Sequence, residues 1–482
     1  MVFSSQVFFF YFLPLVLLVY YLSPTRLRHL ALTLFSYVFY GWANPWFVLL
    51  MLATTIIDYL CGLWMVGGFR QPEMLLLEAG ASRSNGQKLA LALTVICHLA
   101  LLGFFKYFNF AVENYNSVIQ AMGLPDWHWD TALRVTLPLG ISFYTFQSMS
   151  YTIDVYRGDA RAIRSFIDFA CFVSMFPQLV AGPIIRFSEV ADQLRARTHT
   201  VEKFARGIAM VSVGLAKKIL LANPCGKIAD TVFAASPASA MDSWYGLAAY
   251  SFQIYFDFSA YSDMAIGLGL MMGFMFAKNF DSPYQSASIT EFWRRWHISL
   301  STWLRDYLYV PLGGNRIGPV RTYLNLMIVM LLGGLWHGAA WTFVIWGAIH
   351  GGMLVLERLR GKTSYYERLP RPARVALTFG LVSIGWIFFR SSDLPSAMAF
   401  LGSLFGQGGV HPGASLIGGL LYSPYYLGCF AVAALVVWCA PQTWDWTRRL
   451  SWQRAAVCTG LLWASLAVMV TQAYNPFIYF IF

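Results

Sequence analysis

Val7-Phe-Phe-Phe-Tyr-Phe-Leu-Pro-Leu-Val-Leu-Leu-Val-Tyr-Tyr-Leu22 is an uncharged apolar run. No basic segment precedes it and no small-residue cleavage site closes it, so it reads as a retained first membrane helix rather than a removed signal peptide. Similar runs recur near 30–43, 46–66, 89–107, 133–153, 166–185, 204–222, 243–258, 260–276, 323–335, 338–356, 373–389, 396–405, 420–440 and 455–472. A full span takes about 20 residues, and this pattern predicts an all-α polytopic membrane protein with about 10–13 transmembrane helices. Runs that are short or interrupted by Gly and Pro are candidates for re-entrant or interfacial helices, tolerated where protein or a water-filled cavity covers the backbone. No linker or low-complexity tract divides the chain, so residues 1–482 read as a single integral-membrane domain.

The composition agrees. Of 482 residues, 58% are hydrophobic, 17% aromatic and only 12% charged, with mean hydropathy +0.55. That charge content is about half that of a soluble protein. A soluble enzyme, a disordered chain and a nucleic-acid-binding domain are all excluded. The net charge of +11 fits cations in cytoplasmic loops and near anionic lipid, not a nucleic-acid partner. The segment Arg358–Arg374 is the best cytoplasmic loop by this rule. Seven cysteines (Cys61, Cys97, Cys171, Cys225, Cys429, Cys439 and Cys458) form no C-x-x-C pair. They read as small core residues, and no metal site or disulfide framework is expected.

Polar groups inside a membrane cost free energy, so they mark candidate function. This chain gathers them between 250 and 352. The block Tyr255-Phe-Asp257-Phe-Ser-Ala-Tyr261-Ser-Asp263 places two carboxylates in an apolar run. Six residues apart, they point to different helix faces and make a poor acid/base pair; the plain alternative is that each bonds a neighbouring helix. Gly269-x-x-x-Gly273 beyond them reads as a close-packing face.

Ser288-Ile-Thr-Glu291 has capping-box spacing and predicts a helix start. The run that follows, Phe292-Trp293-Arg294-Arg295-Trp296-His297-Ile-Ser299-Leu-Ser301, is too charged to span and reads as one amphipathic helix at the interface. Trp293, His297 and Ser301 would share a face, while Arg294 and Arg295 would snorkel to headgroups. In Leu312-Gly313-Gly314-Asn315-Arg316, turn amides plus Arg316 could hold phosphate, although a simple turn serves as well. His337 stands in Gly334-Leu-Trp336-His337-Gly338, where small neighbours let another chain or a substrate approach the backbone. Histidine is the obvious general base at neutral pH. On one continuous helix His350 would lie about 20 Å along the axis from His337 and about 220° round it, which leaves His297 as the permissible partner.

Four blocks together resemble the membrane-bound O-acyltransferase family, in its bacterial branch of alginate O-acetyltransferases and related cellulose- and D-alanine-transferring proteins. They are Asp257-Phe-Ser-Ala-Tyr-Ser-Asp263-Met-Ala-Ile-Gly267, Phe292-Trp-Arg-Arg-Trp-His297, Pro311-Leu-Gly-Gly-Asn-Arg316 and Gly334-Leu-Trp-His337-Gly338. Leu137-Pro-Leu-Gly-Ile-Ser-Phe-Tyr144 and the terminal Asn475-Pro-Phe-Ile-Tyr-Phe are similar to that branch too. Ala260 stands where the pattern has Gly, a packing difference. The resemblance implies helices around a central tunnel, with catalytic histidines at His337 and His297. It implies acetyl-CoA as the cytoplasmic acyl donor, with no bound cofactor. It also implies periplasmic acetyltransferase or relay proteins as partners, and a multi-pass location in the bacterial inner membrane.

The expected chemistry is direct acyl transfer for O-acetylation of a secreted exopolysaccharide, alginate or cellulose. His337 is the base, and His297 or the Asn315 amide faces the oxyanion. Asn315, Arg316, Trp293, Trp336 and Asp257 are the candidate donor- and substrate-binding residues. The alternatives are a transporter or flippase, in which Asp257 and Asp263 couple ions, and a scaffold subunit of an export machine. The lack of internal repeats argues against the transporter.

Overall fold

The computed structural model describes residues 1–68, 76–129, 134–361, 363–407, 409–410, 413 and 417–478. Lys362 of the basic loop, residue 133 of the fifth apolar run, and Tyr479 and Phe480 of the terminal motif lie outside the described residues. Among the described residues every regular element is helical. Five helices are long and apolar enough to cross a bilayer: α1 (Trp46–Met65), α2 (Asn85–Ala121), Pro319–His337, Arg371–Arg390 and Trp452–Thr471. Phe8–Leu22, Leu394–Ser403 and Pro424–Cys439 are shorter apolar helices. The architecture is that of an all-α, multi-pass membrane protein.

The chain forms two compact units. The first comprises residues 1–201 with 272–276. In it, α2 starts at Ser84 because Ser84 Oγ accepts the Gln87 amide (3.2 Å) and Gln87 Oε1 accepts the Ser84 amide (2.9 Å), a reciprocal cap. Helix α3 (Ile141–Arg157) is bounded by Gly140 (φ 73°) and Gly158 (φ 88°), both in the left-handed region that only glycine adopts freely. Gly62 of α1 lets the Tyr151 ring of α3 lie directly on its backbone. A buried Asp58–His98 pair at 2.6 Å ties α1 to α2.

The second unit comprises residues 202–271 and 277–482. Its first helix is α4 (Val201–Ala216), followed by a π-helical turn, Lys217–Ala222. The apolar runs 243–258 and 260–276 are in fact one long buried helix, α5 (Ala240–Met271). Its two carboxylates do not break it because each meets a lysine of the π-helical turn. Asp257 pairs with Lys218 at 2.8 Å and Asp263 with Lys217 at 2.7 Å. The close approach on α5 is made by Gly267, whose backbone oxygen abuts Gly207 of α4, and by Ala260, whose oxygen abuts Gly214. Gly273 lies in the turn beyond the helix end, at φ 85°, where its close approach is to Thr198 and His199 and not to another helix.

Four helices then build the candidate site. They are α6 (Ile289–Arg295), α7 (Ile298–Leu304), α8 (Pro319–His337) and α9 (Trp341–Leu359), with α10 (Arg371–Arg390) beside them. Helices α8 and α9 form an antiparallel hairpin seamed by glycine. A Cβ on Gly334 would strike the Phe343 carbonyl, and one on Gly347 the Met330 carbonyl. The small neighbours of His337 therefore admit the chain's own next helix.

Candidate active site

Helix α6 begins where the capping pattern predicts. Ser288 Oγ accepts the Glu291 amide at 3.0 Å. A second, unforeseen cap comes from α9. The buried Glu357 carboxylate accepts the Ile289 and Thr290 amides, each at 2.8 Å, and the Thr290 hydroxyl at 2.6 Å. An anion there neutralises the helix dipole and satisfies first-turn donors.

The amphipathic helix expected through Ser301 is interrupted. His297 sits between α6 and α7 at φ 43°, ψ 57°, a left-handed conformation that costs a non-glycine residue free energy unless its surroundings impose it. Asn279 imposes it. Its carbonyl accepts the Ile298 amide (2.9 Å), and its side-chain Oδ1 accepts the Ser299 amide (3.1 Å) and hydroxyl (2.9 Å). His297 Nδ1 lies 3.2 Å from the same Oδ1. An oxygen already accepting a backbone N–H can only accept again, so Nδ1 carries the proton and Nε2 presents a lone pair. Nε2 is buried without a hydrogen-bond partner among the described residues. Burial, with His337 as the lesser cause, holds His297 well below the usual imidazole value, so it is neutral. In this tautomer His297 accepts hydrogen bonds and cannot donate to an oxyanion. Trp293 and His297 do not share a helix face, because the break rotates one away from the other.

His337 is the last residue of α8. Its ring packs edge-on against Trp336 (4.9 Å), Trp346 (5.3 Å) and Phe389 (5.1 Å). Trp336 bridges the two histidines, its centroid 6.2 Å from that of His297. His350 is much nearer than a continuous helix would put it. The helix ends at His337 and turns back, and Trp346 packs 5.3 Å from His337 and 4.9 Å from His350. The two imidazoles are thus within about 10 Å. His350 Nδ1 accepts the Trp293 indole N–H at 3.3 Å.

A cavity of about 590 Å³ reaches His337. Trp293 and Asn315 line it, and so do Arg294, Arg305 and Arg358, with no carboxylate among the described lining side chains. Arg305 carries its own counter-ion, Asp306, at 2.7 Å. Ser301 also lines the cavity, its hydroxyl donating to the Trp296 carbonyl. Arg316 is exposed and is not among the lining residues. The Gly-Gly turn keeps its amides for itself: Gly313 N–H bonds the Val310 carbonyl and Gly314 N–H that of Tyr309. Asn325 fastens the same turn through the Leu312 and Gly314 carbonyls. Asp257 lies off the cavity, paired with Lys218 and accepting the Ile478 amide at 2.8 Å. The residues that sequence reasoning missed are Arg305, Arg358 and Glu357, and Arg294, read there as meeting headgroups, lines the cavity. The only available signal was a basic loop whose first residue, Arg358, is preceded by a lone acid.

The sequence profile of the membrane-bound O-acyltransferase family matches residues 159–391. The chain is 50% identical over 408 residues to a probable alginate O-acetylase of Azotobacter vinelandii, covering 85% of this chain and 79% of the relative. It is 45% identical to a probable alginate O-acetylase of Pseudomonas putida, with both chains covered in full. It is 35% identical to a peptidoglycan O-acetyltransferase of Helicobacter pylori, over 85% of this chain and 81% of the other.

Proposed function

Because this chain belongs to the membrane-bound O-acyltransferase family, in its alginate O-acetylase branch, we propose the following activity. It moves an acetyl group from acetyl-CoA, on the cytoplasmic side of the bacterial inner membrane, to serve O-acetylation of a secreted exopolysaccharide. Alginate is the polymer that the relatives' names favour. Transfer runs directly or through periplasmic acetyltransferase or relay proteins.

The observation that carries this reading is the cavity in which buried His337 shares a wall with Arg294, Arg305 and Arg358. Charge for a donor's phosphates and a base for an acceptor's hydroxyl are thereby joined in one space. Arg358 heads the basic segment assigned to the cytoplasm, which supports donor access from that side.

In the proposed reaction the acceptor hydroxyl gives its proton to His337 as its oxygen attacks the thioester carbonyl. The new C–O bond forms, the C–S bond breaks, and the proton passes from His337 to the departing thiolate. The Nε2 lone pair of His297 accepts a hydrogen bond from a second hydroxyl of the acceptor and so orients the one that attacks. Asn315 is exposed, and the Gly314 carbonyl next to it accepts from Asn325, about 18 Å along α8 from His337, so its amide meets the donor away from the carbonyl and does not face the oxyanion.

His337→Ala tests the reading. Polymer acetylation, measured by NMR of the secreted glycan, falls by about 10²–10⁴-fold for loss of a general base, while the protein's level in the membrane is unchanged. Near-normal acetylation in that variant overturns the assignment.

A further inference from the structure

His337 borders two spaces. One is the wide arginine-bearing cavity. The other is a void of about 10 Å³ lined by Ile254, Phe258, Trp296, Trp386, Phe389 and Ile478. All six side chains are buried, and the Trp386 indole N–H is spent on the Tyr284 hydroxyl at 3.1 Å. A space this small stands at the threshold for one water molecule, and an apolar lining keeps such a space dry. What fits is one methyl group.

We propose that this void receives the methyl of the transferred acyl group and restricts the enzyme to acetyl, with Ile478 as the residue that closes it. The proposal rests on the reading that a thioester lies in the arginine-bearing cavity with its carbonyl at His337. A thioester carbonyl carbon carries an oxygen, a sulfur and the acyl carbon. With the sulfur and its pantetheine arm in the wide cavity, the acyl carbon is directed to the other space that His337 borders. One added methylene meets the Ile478 and Phe389 side chains.

Ile478 is held too firmly to yield. Its amide donates to Asp257 Oδ2 at 2.8 Å, and Asp257 is fixed by the buried Lys218 at 2.8 Å. Lys218 also donates to the Pro476 carbonyl. Upstream, the Asn223 side-chain Nδ2 donates to the Tyr474 carbonyl at 3.3 Å, and the Tyr474 hydroxyl donates to Asp230 at 2.5 Å. The buried Asp257–Lys218 pair thus acts on the site at one remove. It is the anchor of a terminal strap whose tip forms one wall of the acyl pocket.

The test uses membranes containing the full chain and its secretion partners. Each sample is supplied with acetyl-CoA or propionyl-CoA, and the initial rate of free thiol release is read above that of His337→Ala membranes. A pocket that rejects one methylene predicts a preference for acetyl of about 10–200-fold in the unmodified chain. Ile478→Ala lowers that ratio at least tenfold, and Ile478→Val lowers it partway in the same direction. The ratio does not depend on how much protein inserts, and the valine variant guards against misfolding of the alanine one. Equal use of the two thioesters by the unmodified chain, or an unchanged ratio in both variants, overturns the proposal alone. Absence of thiol release from acetyl-CoA by the unmodified chain overturns the donor assignment and the proposal with it.

Discussion

Replacing Glu357 with Gln tests whether the two-sided cap on α6 positions the donor site. The Glu357 carboxylate accepts three hydrogen bonds, from the Ile289 amide, the Thr290 amide and the Thr290 hydroxyl, all between 2.6 and 2.8 Å. Glutamine keeps one oxygen, so an NH₂ group must face a backbone N–H whichever way the amide turns. The least damaging orientation loses the Ile289 bond, and a bond to a charged group is worth about 1.5–3 kcal/mol. Removing the negative charge from the helix N-terminus adds about 0.3–1 kcal/mol. The total of about 3 kcal/mol lowers the equilibrium constant for docking α6 by about 100-fold. Helix α6 carries Trp293, which bonds His350, and Arg294, which lines the cavity. Detergent-solubilised Glu357→Gln protein should unfold at a lower temperature by tryptophan fluorescence, and its KM for acetyl-CoA should rise by tenfold or more. A variant with the original unfolding temperature and the original KM would refute the reasoning, because the cap would then contribute nothing to the site.

Arg294→Ala and Arg358→Ala should each raise the KM for acetyl-CoA by about 2–5-fold with kcat unchanged, the size expected of partly solvated charges. The effect should shrink as salt screens it; an unchanged KM in the double variant removes these arginines from donor binding. Gly334→Ala should cost about 1–3 kcal/mol by overpacking, since the new Cβ strikes the Phe343 carbonyl. Thermal unfolding and thiol release read this together, and a stable, fully active variant would show that the α8–α9 seam has slack.

His337 stands out in the sequence through its flanking glycines and paired tryptophans, although a core histidine is an equal reading; what the structure adds is that His337, Trp293 and Asn315 line one cavity. The carboxylates Asp257 and Asp263 were visible, but their partners were not. The lysines that meet them come from a π-helical turn some forty residues earlier, within the apolar run 204–222. Arg316 looked like the phosphate ligand because it adjoins the Gly-Gly turn. The turn instead points it to solvent and spends its own amides internally. Nothing local distinguishes Arg316 from Arg305 or Arg358, which do line the cavity.

The sequence alone determined the solvent. With so few charges and apolar runs recurring throughout, only a helical membrane protein satisfies both the side chains and the backbone. It also singled out the histidines, since polar groups in that solvent must be paired or functional. Tertiary structure decided how they are used. The left-handed turn at His297 and its tautomer come from Asn279, eighteen residues away, and its neutral state from burial. The start of α6 is finished by Glu357, from α9, three helices later. The wall beside His337 is completed by Ile478 from the far end of the chain. Each is a contact between segments whose own patterns carry no trace of the other. Hydrophobic periodicity encodes which face is buried, but not which partner's donor, carboxylate or methyl group will meet it there.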